Sequence, residues 1–116
     1  MFLQLAHTKP DAFIVSKAFV LDCYQLTKHF PAEEKFGMIS QIRRAALSVH
    51  LNIAEGASRK SAIERKRFYE VARGSIVEVD AAFGIATELK YCSAEQLQQL
   101  GSTLLKTFKI LCGLIG

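Results

Sequence analysis

The sequence predicts an all-α fold, an antiparallel up-down-up-down four-helix bundle forming one domain over residues 1–116. Three observations carry that expectation. Apolar residues recur at intervals of three and four in four successive segments, the spacing that gathers side chains on one face of an α-helix. No run of period-two alternation lies between turn residues, so strands find no support. The links are short and carry helix-start signals, which makes consecutive helices antiparallel neighbours.

The first helix, about residues 10–30, opens at Lys9-Pro10-Asp11, with proline in the first turn and a carboxylate near the positive end of the dipole. Val15, Phe19, Cys23, Leu26 and Phe30 form its core stripe, and Pro31 stops it. Pro31-Ala32-Glu33-Glu34 opens the second helix, about 32–56. Ile39, Ile42, Ala46, Val49 and Ile53 make its inward stripe, Leu47, Leu51 and Ala54 flank it, and Gly56 is placed as a left-handed cap. The third helix, about 61–91, begins at a Ser61/Glu64 capping box. Its seam is Phe68, Ala72, Ser75, Val79, Ala82, Ala86 and Leu89, mostly small residues that permit close approach. Gly74 costs about 1 kcal/mol in mid-helix and predicts that something passes close to the backbone there. The fourth helix, about 93–115, opens on a second capping pattern, Ser93 with Gln96. Leu97, Leu100, Leu104, Phe108, Leu111 and Ile115 form its stripe, widened by Leu105, Cys112 and Leu114.

Half of the residues are hydrophobic and only two are proline, which excludes a disordered chain. The three cysteines, Cys23, Cys92 and Cys112, show neither a close pair nor a metal-ligand spacing. Together with the absence of a signal-peptide pattern and of any transmembrane stretch, they predict a cytoplasmic protein with no membrane contact.

Catalytic candidates are thin. His7, His29 and His50 have no partner that spacing alone would supply, and no glycine-rich phosphate cradle, Gly-x-Ser-x-Gly, Cys-x-x-Cys or His-Glu-x-x-His pattern occurs. Paired Glu-x-x-His ligands for a metal in a bundle are also lacking. The expectation is a protein that is not an enzyme, with no metal and no cofactor.

Two surface features stand out instead. Lysine plus arginine number fifteen against eleven acids, a net charge of +4. Over half of those cations fall between Arg43 and Arg73. Arg59, Lys60, Arg65, Lys66 and Arg67 are the principal candidates for phosphate contact, with Arg43, Arg44 and Arg73 as further candidates that have structural alternatives. Cations at the start of the third helix oppose its dipole, a local cost that a bound anion would relieve. The second feature is polar: Arg44, Ser48, Asn52 and Glu55 share one face of the second helix, and Arg73, Ser75 and Glu78 lie on the third. They are read either as ligands for a base or a cation, or as a buried or interfacial network in which Glu55 pairs with an arginine. The network is the expectation, because an unpaired buried carboxylate would cost several kcal/mol.

Leu47 and Leu51 lie beyond the core stripe of the second helix, as do Tyr69, Ile76 and Phe83 beyond that of the third. Exposed together they would exceed the apolar patch a monomer tolerates, which predicts a homo-oligomer.

The run RRAALSVHLNIAEGASRKS, followed by Arg73-Gly74-Ser75 and Glu78 and preceded by HFPAEEKFGMISQIRRA, resembles the four-helix bundle proteins encoded by intervening sequences of bacterial 23S ribosomal RNA genes. It is more distantly similar to the accessory protein of diversity-generating retroelements. The resemblance covers roughly residues 11–115 and implies a homopentameric ring. From the retroelement likeness follow two implied partners, RNA or DNA and a reverse transcriptase. Two functions are thereby expected as alternatives: binding of structured nucleic acid through phosphates without base-specific readout, or a protein adaptor with no nucleic-acid contact.

Overall fold

A computed structural model describes residues 11–116, and His7, Lys9 and Pro10 lie outside the described residues. The described residues form four helices and no strand, as an all-α bundle requires: α1 (Asp11–Thr27), α2 (Met38–Ser58), α3 (Ala62–Glu88) and α4 (Gln98–Ile115). Helices consecutive in the chain are neighbours, and α4 also packs on α1, so the four surround one core. No helix among the described residues is long and apolar enough to cross a membrane.

The boundaries differ from expectation where side chains compete for the backbone. α1 ends at Thr27, whose hydroxyl donates back to the Cys23 and Tyr24 carbonyls at 2.8 and 3.2 Å. A short 3-10 turn, Ala32–Glu34, then replaces the expected opening of the second helix. α2 starts only at Met38, where the Glu34 carboxylate accepts the Met38 N–H at 3.2 Å. Glu34 is therefore a cap outside α2, not a first-turn acid. Ser61 caps α3 as expected, accepting the Glu64 N–H at 3.4 Å. α3 stops at Glu88 because Lys90 turns left-handed (φ 64°). Tyr91 N–H donates to Ala86 O and Lys90 N–H to Thr87 O, the paired closure that usually places glycine at the left-handed position. The Ser93/Gln96 box forms in both directions, at 2.8 and 3.2 Å, but it frames the turn that precedes α4.

Gly56 corrects a second expectation. It is not a left-handed cap but a buried residue inside α2, which runs on to Ser58. A Cβ at this position would lie 2.8 Å from Tyr69 Cε1 and 3.1 Å from Phe68 Cβ, so the missing side chain is what lets α3 approach. Gly74 is the reverse case: exposed, with nothing within 4 Å of where a Cβ would be. Gly74→Ala is expected to raise stability by about 1 kcal/mol, read as a shift in chemical-denaturation midpoint at constant slope.

In the core stripe of α2, Ile42, Ala46, Val49 and Ile53 are buried and Ile39, in the first turn, is partly so. In α3 the stripe runs through Tyr69, Ala72, Ile76, Val79, Phe83 and Ala86, alternating three and four residues. Tyr69, Ile76 and Phe83 thus fill the protomer's own core and form no association surface, which corrects their assignment as interface residues. Leu89, expected inside, is exposed. The large side chains alternate with the smaller Ala72, Val79 and Ala86, and that alternation lets one narrow seam hold rings and still approach α2 closely. Leu47 and Leu51 remain at the surface, 40% and 55% exposed.

Candidate nucleic-acid interface

Contacts between helices place the α2–α3 link in space. Ser16 of α1 meets His50 of α2, Gly56 meets Tyr69, and the Lys66 amine lies beside Gly116 at the end of α4. The first half of α1 therefore lies against the second half of α2, and the start of α3 lies beside the ends of α2 and α4. At the other end Arg43 meets Tyr24, and the Tyr91 hydroxyl donates to Glu34 at 2.9 Å.

The predicted cations separate into two kinds. Arg65 is half-buried and donates through one nitrogen to the carbonyls of Arg59 and Lys60, at 3.0 and 2.7 Å, so it clamps the link. Arg43 donates to Thr27 Oγ1 at 2.9 Å and Tyr24 O at 3.2 Å, with its guanidinium 4.7 Å from the centre of the Tyr24 ring. It therefore satisfies the open end of α1. Arg73 leans on Cys112 Sγ at 3.7 Å, tying α3 to α4. Lys60, Lys66 and Arg67 are exposed at the link end, and among the described residues none forms an ion pair. Arg59 is also exposed but is shared: it pairs with Glu55 at 3.6 Å and lies over the Phe68 ring, 4.9 Å from its centre. Both members of that ion pair are open to water, so it adds little stability.

The polar set does not close into one network. Ser48, Asn52 and Ser75 come together, with the Asn52 amide donating to Ser48 O at 2.8 Å and Ser48 Oγ at 3.2 Å, and Ser75 Oγ to Ser48 Oγ at 3.0 Å. Ser48 and Ser75 line an open groove of about 250 Å³ with Arg44, Glu78, Gln41 and Ala45. Glu55 stands apart, exposed, held by Arg59 and by the Ser58 hydroxyl at 3.3 Å. Glu55 thus pairs with an arginine, but the partner is the exposed Arg59 and the pair stands outside the Ser48–Asn52–Ser75 contacts, while Arg73 serves Cys112.

His50 faces α1. Its Nδ1 lies 2.8 Å from Ser16 Oγ, and its ring is 4.3 Å from that of Phe13. Burial, with Lys17 adding repulsion, lowers its pKa below the ordinary 6.5. The fold therefore favours the neutral ring, and stability is lost as pH falls from about 6.5 toward the lower folded value. Thermal melts from pH 7 to 5 should show a steeper loss for the wild type than for His50→Gln, and parallel curves would contradict the assignment. His50 faces Ser16 and Phe13 of α1 whereas Glu55 is held by Arg59 and Ser58, so the two side chains serve different neighbours.

Beside the link lies a second groove of about 340 Å³, lined by Asn52, Arg59, Glu64, Arg67, Phe68 and Val71. It sets an aromatic ring and two arginines next to the exposed cations.

The geometry is that of a small helical bundle with exposed cations at the α2–α3 link. The model of the 23S rRNA-intervening sequence protein family matches residues 10–113, nearly the whole chain. The chain belongs to the 23S rRNA-intervening sequence protein family. Among curated proteins no significant match is found. The family match takes in α1, α2 and α3 whole and α4 as far as Gly113, and so includes the link and the α2–α3 grooves. Sequence reasoning missed the roles of Glu34, Arg43 and Phe68. Arg43 directly follows the core residue Ile42, a position at the margin of the buried stripe that predicts a half-buried cation. Nothing in the local pattern places Phe68 in a groove, because that depends on how closely α3 crosses Gly56.

Proposed function

We propose that this chain is a non-enzymatic oligomeric bundle, with helices alternating up-down-up-down, that binds structured RNA or DNA through phosphates without base-specific readout. One observation carries the reading: Lys60, Lys66 and Arg67 are exposed and, among the described residues, free of ion pairs at one end of the bundle, with Arg59 beside them. Lys17 and Lys109 are on the same half. Glu33, Glu34, Glu78, Asp80, Glu88 and Glu95 lie toward the other half, against Asp11, Glu55, Glu64 and Glu70 on the link half, so the excess of cations is at the link. A separation of charge of this kind attracts a polyanion end-on and orients it. Assembly into a ring, a pentamer by family resemblance, would place several such ends on one rim. Leu47 and Leu51 are apolar residues left open on the protomer that such assembly would cover.

Filter binding of a structured RNA hairpin across a range of salt tests the reading. The expected result is a linear loss of log affinity with log salt, with a slope equivalent to at least three phosphate contacts per protomer. Absence of binding at low salt would overturn it. A second reading, a protein adaptor for a ribonucleoprotein or reverse transcriptase, is favoured by one further observation. Phe36 at the tip of the α1–α2 connection is 90% exposed, an aromatic surface that a protein partner would cover.

A further inference from the structure

We propose that the groove beside the α2–α3 link seats one unpaired, amino-bearing base of the bound nucleic acid, while the neighbouring cations hold its phosphates. The inference rests on the phosphate-binding reading above and amends it at one point: a single loop base is read, while the rest of the contact is made through phosphates.

The groove of about 340 Å³ is large enough for a planar heterocycle. Phe68 and Val71 give it an apolar wall. The Arg59 guanidinium lies over the Phe68 ring, 4.9 Å from its centre, so a base that displaces it meets the ring on one face and can hold the guanidinium on the other, the two flat surfaces on which unpaired bases stack. Its walls come from two helices held together by the Gly56 approach, and the site is therefore formed in advance of binding.

The polar groups select the kind of base. The Asn52 amide nitrogen is committed to Ser48, which leaves its carbonyl oxygen as an acceptor. Glu64 lines the same groove and supplies a carboxylate, also an acceptor. Acceptors of this kind suit a base with an exocyclic amino group, which adenine, guanine and cytosine carry and uracil lacks. Arg67, in the same lining, is then placed to meet a phosphate flanking that base.

The test uses an RNA hairpin with 2-aminopurine at one loop position; the chain has no tryptophan, so the probe's emission is read cleanly. Binding is expected to quench the emission through stacking. Phe68→Leu, which keeps an apolar side chain but removes the ring, should abolish the quenching and weaken binding by roughly tenfold, with the salt slope unchanged. Asn52→Ala, at a half-exposed position outside the core, should erase the preference for a loop with an amino-bearing base over one with uracil. Arg67→Gln should instead lower the slope by about one and keep the quenching at saturation. Binding with a steep salt slope but with quenching absent, or equal in wild type and Phe68→Leu, overturns the base site and leaves the phosphate reading intact. No binding at low salt overturns both.

Discussion

Gly56→Val is expected to destabilise the bundle by about 3 kcal/mol and to lower its melting temperature by roughly 10–20 °C. The cause is geometric. Even the first carbon of a side chain would sit 2.8 Å from Tyr69 Cε1 and 3.1 Å from Phe68 Cβ. The second of these atoms is fixed by its own helix and cannot swing away. Tyr69 is itself buried, so its ring has nowhere to move without displacing its neighbours in the core. A branched side chain adds two carbons to that clash and overcomes any gain in helix propensity over glycine. The opposite sign at Gly74, where a Cβ meets open space, makes the pair a controlled comparison within one fold. A Gly56→Val protein that melts with the wild type would show that α2 and α3 are farther apart than described.

The triple variant Lys60→Gln, Lys66→Gln and Arg67→Gln is expected to bind a structured RNA about a hundredfold more weakly in moderate salt. Its log–log salt slope should fall by nearly three, close to one for each phosphate no longer neutralised. These side chains form no ion pair among the described residues, so their removal breaks nothing inside the protomer. Stability should stay level or rise slightly, because cations near the start of α3 oppose its dipole. That separates loss of binding from loss of fold. Neutralising Lys28, Lys35 and Lys90, which are exposed in the other half, is the matched control and should leave the slope unchanged. Equal losses in the two triples would mean that charge acts through its total and not its place.

Much of this fold was legible in the chain. Four amphipathic segments, the Ser61 cap and the inward stripe of α2 follow from spacing and capping chemistry, which are local. What spacing could not fix was set by neighbours distant in sequence. Gly56 reads as a stop signal, since glycine commonly ends helices, and only its proximity to Tyr69 reveals a crossing point. Tyr69, Ile76 and Phe83 recur every seven residues, a period that suits a core seam and an oligomer seam alike. The neighbour on α2 decides between them, and Ile76 is 1% exposed. Lys90 gave no warning of its left-handed turn, because lysine takes that conformation at a cost the closing hydrogen bonds offset.

The candidate site was legible in composition and not in detail. The basic run from Arg59 to Arg67 marks the link end correctly, yet charge alone treats its members as equivalent. Arg65 is absorbed by the Arg59 and Lys60 carbonyls and Arg59 is shared between Glu55 and Phe68, whereas Lys60, Lys66 and Arg67 stay exposed and, among the described residues, without an ion pair. Hydrogen-bond demand from the backbone of the link makes that division, and it emerges only once the chain has turned.

Protection of individual lysines from chemical methylation in the RNA-bound protein, read by mass spectrometry, locates the phosphate-binding surface directly. Lys60 and Lys66 should lose reactivity when the RNA is present, while Lys28, Lys35 and Lys90 keep theirs. Protection of those three with Lys60 and Lys66 still open, or no difference among the five, would contradict a binding surface at the α2–α3 link.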